Sequence, residues 1–217
     1  MDAKELIARR IARELHHNTL VNLGIGLPTM VSRYVPAGLN VFFQSENGII
    51  GSGSPPPDGM EDPSLTDAGG HFISALPGAV SFDSAVSFML IRGGHVDMTV
   101  LGALEVDAHG RLANWVIPGK LVPGMGGAMD LVSGARRVVI AMQHTARGES
   151  KIVPELTLPP TAERRVNLIV TELAVIEPVD GGLLLKERAP GVAVADILAK
   201  TSAPLIVPTE VPEMAIA

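Results

Sequence analysis

Two hydrophobic patterns take turns along the chain: apolar positions recurring every three to four residues, and short unbroken apolar runs. Leu6, Ile7, Ile11 and Leu15 keep the helical interval, and Asp2 precedes Glu5 by the spacing of a capping box, with Asp in place of Ser or Thr. A first helix is therefore expected over residues 3–16. Residues 20–23 read as a short strand, which Gly24-Ile25-Gly26-Leu27-Pro28 turns into a helix whose first turn accepts proline. A second strand, over 39–44, is apolar and aromatic and ends at the polar turn Ser45-Glu46-Asn47-Gly48.

Residues 51–63, GSGSPPPDGMEDP, hold too much proline and glycine for a regular element and predict an exposed flap, with 67–70 continuing as turn. The pattern then predicts a helix over 81–92, a strand over 98–106, a turn at 107–110 and a strand over 112–117. A second glycine-rich passage, PGKLVPGMGGAMD, enters a helix near Met129. The unbroken Val/Ile/Ala run at 137–142 predicts a buried strand. A strand over 166–176, a hairpin turn at 180–182, a return strand over 183–186 and a helix over 193–200 complete the pattern. Strands alternating with helices through glycine turns predict an α/β fold: an open, largely parallel sheet with flanking helices and one antiparallel excursion. With no internal repeat or linker, 217 residues fit a single domain spanning 1–217.

Composition narrows the chemistry. The 47% apolar and 18% charged residues belong to a globular chain. The absence of cysteine removes disulfides, thiolate nucleophiles, zinc–thiolate sites and iron–sulfur clusters, so covalent chemistry must use oxygen or nitrogen. A net charge of −6 and 3% aromatic residues argue against a nucleic-acid partner. Mean hydropathy is +0.32. The most apolar stretch, 166–176, is nevertheless interrupted by Asn167, Thr171 and Glu172 and falls short of the ~18 residues of a membrane span. The opening MDAKELIARR places charge where a secretory signal is apolar, so a cytoplasmic, membrane-free protein is expected. Net acidity does not exclude an anionic ligand, because backbone amides and helix N-termini hold anions locally.

Several residues could carry chemistry. The segment from Gly24 to Thr29 starts like a dinucleotide fingerprint but has Thr29 where the third glycine belongs, leaving a tight strand-to-helix turn or an amide-lined ligand wall. Gly124, Gly126 and Gly127 offer closely spaced amides for an oxyanion or phosphate, or form a packed turn; the GK[ST] ending of a phosphate-binding loop is missing. Glu46 is either a solvated carboxylate in an Asn-Gly hairpin or a carboxylate presented beyond a strand's carboxyl end, where α/β sheets bind ligands. The six histidines show no metal-ligand spacing, and no metal site is expected. Ser84 and Ser87 lack a nucleophile-elbow context and are expected at helix-surface or capping positions. The pairs Arg9-Arg10 and Arg136-Arg137 read as solvated faces or strand-end charges.

In combination, NLGIGLP at 22–28, QSENGIIG at 44–51, NWVIPGK at 114–120 and PGMGGAMDLV at 123–132 resemble the ordered motifs of the family I CoA-transferases, in the half called the beta or B subunit. The resemblance runs from the N-terminal helix to about residue 200 and is nearest the short-chain type acting on acetate, acetoacetate or butyrate. Succinyl-CoA:3-oxoacid and 3-oxoadipate enzymes are near relatives. It implies that Glu46 is the nucleophile and that Gly124, Gly126 and Gly127 lie beside the acyl carbonyl and thioester. It also implies that Gly24 and Gly26, with Asn47 next to the nucleophile, line the site. The implied fold is the open α/β architecture shared with some sugar-phosphate isomerases. The implied partner is an alpha (A) subunit in an α2β2 assembly, with coenzyme A a substrate and no cofactor. The triple proline of the flap departs from the pattern. A carboxylate, ionised at neutral pH, can attack a thioester without an activating base. Two other readings use the same fold: a sugar-phosphate-sensing domain, which would form no covalent adduct, and a CoA hydrolase, in which water receives the acyl group.

Overall fold

The computed structural model describes residues 1–120 and 124–216; the start of the second glycine-rich motif, at Pro123, and the chain end, Ala217, lie outside the described residues. Asp2 accepts the Glu5 amide proton at 2.7 Å and opens helix α1 (Ala3–Ala12), which buries Ile7, Ala8 and Ile11. The helix stops short of residue 16 because the amides of Arg13, Glu14 and Leu15 bond three residues back, tightening its last turn. Strand β1 (Thr19–Leu23) follows, and the helix expected after Gly26 forms as a 3-10 helix over Leu27–Tyr34. Strand β2 (Val41–Ser45) turns through Glu46-Asn47-Gly48 into antiparallel β3 (Ile49–Ser52). Residues 53–63 lie in no helix or strand, as expected of the flap, though its first two residues belong to β3.

The helix expected over 81–92 divides. Ala75–Ser81 forms strand β4, and helix α2 begins at Ser84, capped by Asp83, whose carboxylate accepts the Val86 amide proton at 2.9 Å. Pro77 and Gly78 sit in β4 because it is the sheet's outer strand, where a missing amide proton costs nothing. The strand expected over 98–106 also divides at Gly102, giving β5 (Met98–Leu101) and β6 (Glu105–Asp107). The strand expected over 112–117 shortens to β7 (Leu112–Ala113). Helix α3 (Ala128–Gly134) leads to β8 (Arg137–Ala141), and a β9–β10 hairpin (Thr145–Ala146, Glu149–Ser150) to β11 (Ile152–Val153). The run 166–176 is two strands, β12 (Leu168–Val170) and β13 (Ala174–Val179). The Thr171 hydroxyl accepts the amide protons of Leu173 and Ala174 at 3.2 and 3.0 Å and folds the chain back between them. Strand β14 (Gly182–Arg188), helix α4 (Val194–Ala199) and β15 (Leu205–Ile206) end the fold.

Ten strands form one sheet in the order β15-β14-β13-β12-β8-β5-β1-β2-β3-β4. Its centre, β12-β8-β5-β1-β2, is parallel, as expected of an α/β fold. Two antiparallel wings, β2-β3-β4 and β12-β13-β14, flank that centre where a single excursion was expected. Alternate residues of β8 feed opposite cores. Val139 and Ala141 join Ile7 and Ile11 of α1, whereas Val138 and Ile140 join Ile91 of α2, Leu131 of α3 and Ile197 of α4. Burial on both faces explains the unbroken apolar text of the central strands. Arg10 corrects the expectation of a solvated pair: it lies only 5% exposed on the buried stripe of α1, donating to both Glu187 oxygens at 2.7 Å and to Glu14 at 2.6 Å. No helix among the described residues is long and apolar enough to cross a membrane.

Candidate functional site

Glu46 stands immediately past the carboxyl end of β2, half-buried, in the turn that joins β2 to β3. Both sequence readings of this residue therefore meet in one place: it belongs to an antiparallel hairpin, and it projects from the strand end at which α/β sheets bind ligands. Gly48 makes the turn possible. Its φ of +127° is outside the range of L side chains, and a Cβ there would stand 2.0 Å from the Phe82 carbonyl oxygen.

Behind the carboxylate runs a chain of neutral polar groups inside the sheet. Asn22, opposite Gln44 in the parallel β1–β2 register, donates from Nδ2 to Gln44 Oε1 at 2.9 Å and to Glu46 Oε2 at 3.1 Å. Thr99 of β5 donates to Asn22 Oδ1 at 3.4 Å, and Gln44 Nε2 donates to Ser87 Oγ of α2 at 2.8 Å. Asn22, Thr99 and Ser87 are fully buried and Gln44 nearly so. Buried amides and hydroxyls must be partnered, and each here is oriented by the next. The terminal donor of the chain is thereby aimed at one oxygen of Glu46. Ser87 corrects the expectation of a helix-surface or capping role: it is the far anchor of this network.

The second glycine passage reaches Glu46 from the other side. A methyl group built on Gly127 would lie in ordinary van der Waals contact with Glu46, 3.5 Å from Cγ and Oε1, and 3.4 Å from Phe88 Cζ, which places the α3 entrance directly beside the carboxylate. Helices α2 and α3 are tied beside this contact by Arg92, which donates to Asp130 at 2.7 Å. Gly124 and Gly126 precede it and face open space on their Cβ sides.

The remaining expected residues disperse. Asn47 turns away from the carboxylate and donates to the Thr66 carbonyl at 2.8 Å, while Ser45 Oγ accepts the Ala68 amide proton at 2.9 Å. Those two bonds tie the far end of the flap loop to the Glu46 turn. Gly24 is held in the sheet by its amide, which donates to Val100 O at 2.8 Å. Gly24 and Gly26 flank Ile25, which lines a cleft over β1, β5 and β8 and not the Glu46 turn. Ser87 and Thr99 belong to no motif, and Asn22 and Gln44 only open theirs, NLGIGLP and QSENGIIG. The available signal is a polar residue inside an apolar strand, such as Asn in LVNL, which must find a buried partner. No group of three or more His, Asp or Glu side chains among the described residues is placed to hold a metal ion.

Comparison with known proteins gives the arrangement its family context. The family described as Coenzyme A transferase matches residues 4–200. The chain is 55% identical to the acetate CoA-transferase subunit beta of Escherichia coli K12, over 94% of this chain and 93% of that one. It is also 55% identical to the acetate CoA-transferase subunit beta of Haemophilus influenzae, over 100% and 97% of the two chains. Among solved structures, an acyl-CoA transferase apoenzyme from E. coli O157:H7 superposes with a TM-score of 0.78 at 25% identity, covering 99% of this chain and 43% of that longer one.

Proposed function

The chain belongs to the coenzyme A transferase family, and on that footing we propose that it is the catalytic beta subunit of a short-chain enzyme, moving CoA between an acyl-CoA and a free acid of the acetate, acetoacetate or butyrate class. The observation that carries this reading is the Glu46 carboxylate, held past the carboxyl end of β2 by Asn22 and set against the backbone of Gly127. One Glu46 oxygen attacks the thioester carbonyl, the C–S bond breaks, and an acyl-glutamyl anhydride and CoA thiolate result. The thiolate attacks the glutamyl carbonyl, releasing the donor's acid as carboxylate and leaving a glutamyl-CoA thioester. The acceptor carboxylate reverses both steps and leaves as its CoA ester.

Each attack places negative charge on a former carbonyl oxygen, which the amides of Gly126 and Gly127 stabilise; one such donor is worth ~3–4 kcal/mol in a measured protease. Gly124, at a φ of +92°, takes a backbone conformation that side-chain-bearing residues rarely adopt as the chain enters α3, and Asn47 and the 66–68 segment hold the turn that carries the nucleophile. A carboxylate is a weak nucleophile, so orientation and exclusion of water supply much of the rate. An alpha subunit closing over the half-exposed site serves that end, in keeping with the beta-subunit names of the relatives, in a cytoplasmic α2β2 assembly. Coenzyme A enters as substrate.

Treating the assembled complex with acyl-CoA, trapping with borohydride and mapping the modified peptide tests the reading. Modification of Glu46 is the expected result; a stable adduct elsewhere, or none during turnover, overturns it. Exchange assays with acetate, acetoacetate, succinate and 3-oxoadipate then rank the acceptors.

A further inference from the structure

A cleft of about 260 Å³ opens at the carboxyl ends of β1, β5 and β8, walled by Ile25 and Leu27 after β1, Gly102 after β5 and Gln143 after β8. Its charged lining consists of two lysines, Lys4 and Lys151, with no carboxylate among the described lining residues of a chain that is acidic overall. Lys4 is exposed on the first turn of α1. Lys151 lies between β10 and β11, and its ammonium donates to the Ala103 carbonyl at 2.5 Å. Thr145 and Ala146 of that hairpin form one lip.

The Lys151 ammonium is an expensive way to hold one carbonyl. Burial penalises its charge and lowers its pKa, which the more distant Glu172 carboxylate offsets only in part. A neutral donor would bind Ala103 O without that cost. Three N–H donors with one bonded acceptor among the described residues, in a concave lining that holds a second lysine, are complementary to an oxyanion. The position agrees, because parallel sheets bind ligands beyond their strand carboxyl ends. The volume is below the ~300–1,000 Å³ of drug-sized sites, which suits a small anion or one end of a longer molecule. With neighbouring strands ~4.8 Å apart, the β5 and β8 walls stand roughly 10 and 14 Å from the strand that carries Glu46, and although the β1 wall adjoins that strand, no residue of the Glu46 turn lines the cleft.

We propose that the Lys4–Lys151 cleft is an oxyanion-binding site, separate from Glu46, that takes the carboxylate or phosphate end of a small ligand. The test is lysine acetylation of the assembled complex with an amine-reactive reagent at pH 8, read residue by residue by mass spectrometry. Sodium phosphate, succinate and chloride are compared at matched ionic strength. Phosphate or succinate should slow acetylation of both Lys4 and Lys151 at least fivefold relative to chloride, leaving the distant Lys186 unchanged. Protection by succinate alone assigns a carboxylate ligand, and protection by phosphate alone a phosphorylated one. Lys151→Met should abolish protection of Lys4. Should that variant fail to fold, Lys4→Gln, at an exposed position, should weaken protection of Lys151 at least threefold. Rates no slower in either anion than in chloride, or protection that survives the substitution, would overturn the proposal. The Glu46→Gln complex should be protected as the parent is, so this outcome is independent of whether Glu46 carries the transfer chemistry.

Discussion

Two buried polar clusters sit on opposite faces of the sheet and are built from different materials. On the α1 face, Arg10 is gripped by Glu187 and Glu14, and Glu14 also takes a hydrogen bond from Arg137. On the α2 face, Thr99, Asn22, Gln44 and Ser87 form a chain of uncharged groups that ends on Glu46. The ionic cluster spends its valences on itself. Burial works against the charge of Arg10, and the bonds to Glu187 and Glu14 override it and raise its pKa; burial likewise pushes Glu14 up, but Arg10 and Arg137 hold it below the usual carboxylate range. Such a cluster joins α1 to β14 and β8 and offers nothing to a ligand. The neutral chain desolvates no ion, so it can run through the core and direct one group at the rim, where a half-exposed carboxylate remains open to substrate.

If that contrast is right, substitutions in the two clusters fail in different currencies. Glu46→Gln keeps the turn and the Asn22 contact but removes the nucleophile. Transfer by the assembled complex should fall by several orders of magnitude, with melting temperature and assembly unchanged. Retained turnover in an exchange assay would remove Glu46 from the chemistry. Arg10→Met should do the reverse. Leaving the largely covered Glu187 carboxylate without its guanidinium should cost up to about 3–5 kcal/mol in urea unfolding, while turnover per folded complex stays near that of the parent.

How legible each cluster is in sequence follows from the range of its interactions. Glu46 could be singled out because its strand, turn and glycine are contiguous, and the α1 cap because Asp2 and Glu5 are three residues apart. Arg10 could not: its partner Glu187 is 177 positions away, and the doublet Arg9-Arg10 looks solvated in one dimension. The missed breaks have local causes that apolar periodicity does not register. A threonine hydroxyl folds the run at Thr171, and Pro77 in β4 signals a breaker until the strand is known to be the outermost one. Asn22 opens the motif NLGIGLP, whose glycines resemble a ligand wall, yet it is the asparagine that touches the carboxylate, while Ile25 between the glycines lines another cleft.

A buried polar residue outside both clusters tests how a neutral group behaves when it can acquire charge. His144, fully buried after β8, sits between Thr171 Oγ1 at 3.0 Å and Thr201 Oγ1 at 2.8 Å. Burial, with a contribution from the Lys200 charge, lowers its pKa from 6.5 to about 4. Above pH 6.5 both folded and unfolded chains carry it neutral and it contributes no pH dependence. Between 6.5 and 4 the unfolded chain takes up a proton that the native state refuses, so stability falls as pH falls, by up to roughly 3 kcal/mol across the window. Urea midpoints at pH 7 and 4.5 should separate the parent from His144→Gln, whose decline should be shallower; equal slopes would show that the imidazole is not held neutral.

The finest distinction is between holding a carboxylate in place and merely filling space behind it. Asn22→Ala removes the donor to Glu46 Oε2 and leaves Gln44 Oε1 without its partner, at a stability cost of about 1–3 kcal/mol. If the network serves orientation, kcat should fall roughly 10- to 100-fold with KM for acyl-CoA little changed, because the misplacement is felt at the attacking atom and not in remote binding. Thr99→Val, one step further back, loses only the 3.4 Å bond to Asn22 Oδ1 and should reproduce the same kcat-specific defect in weaker form. A purely structural chain would instead show both variants losing stability while the folded fraction turns over at the parental rate. The borohydride-trapped adduct per folded complex separates the two outcomes: slowed formation marks a positioning defect, and unchanged formation marks lost packing.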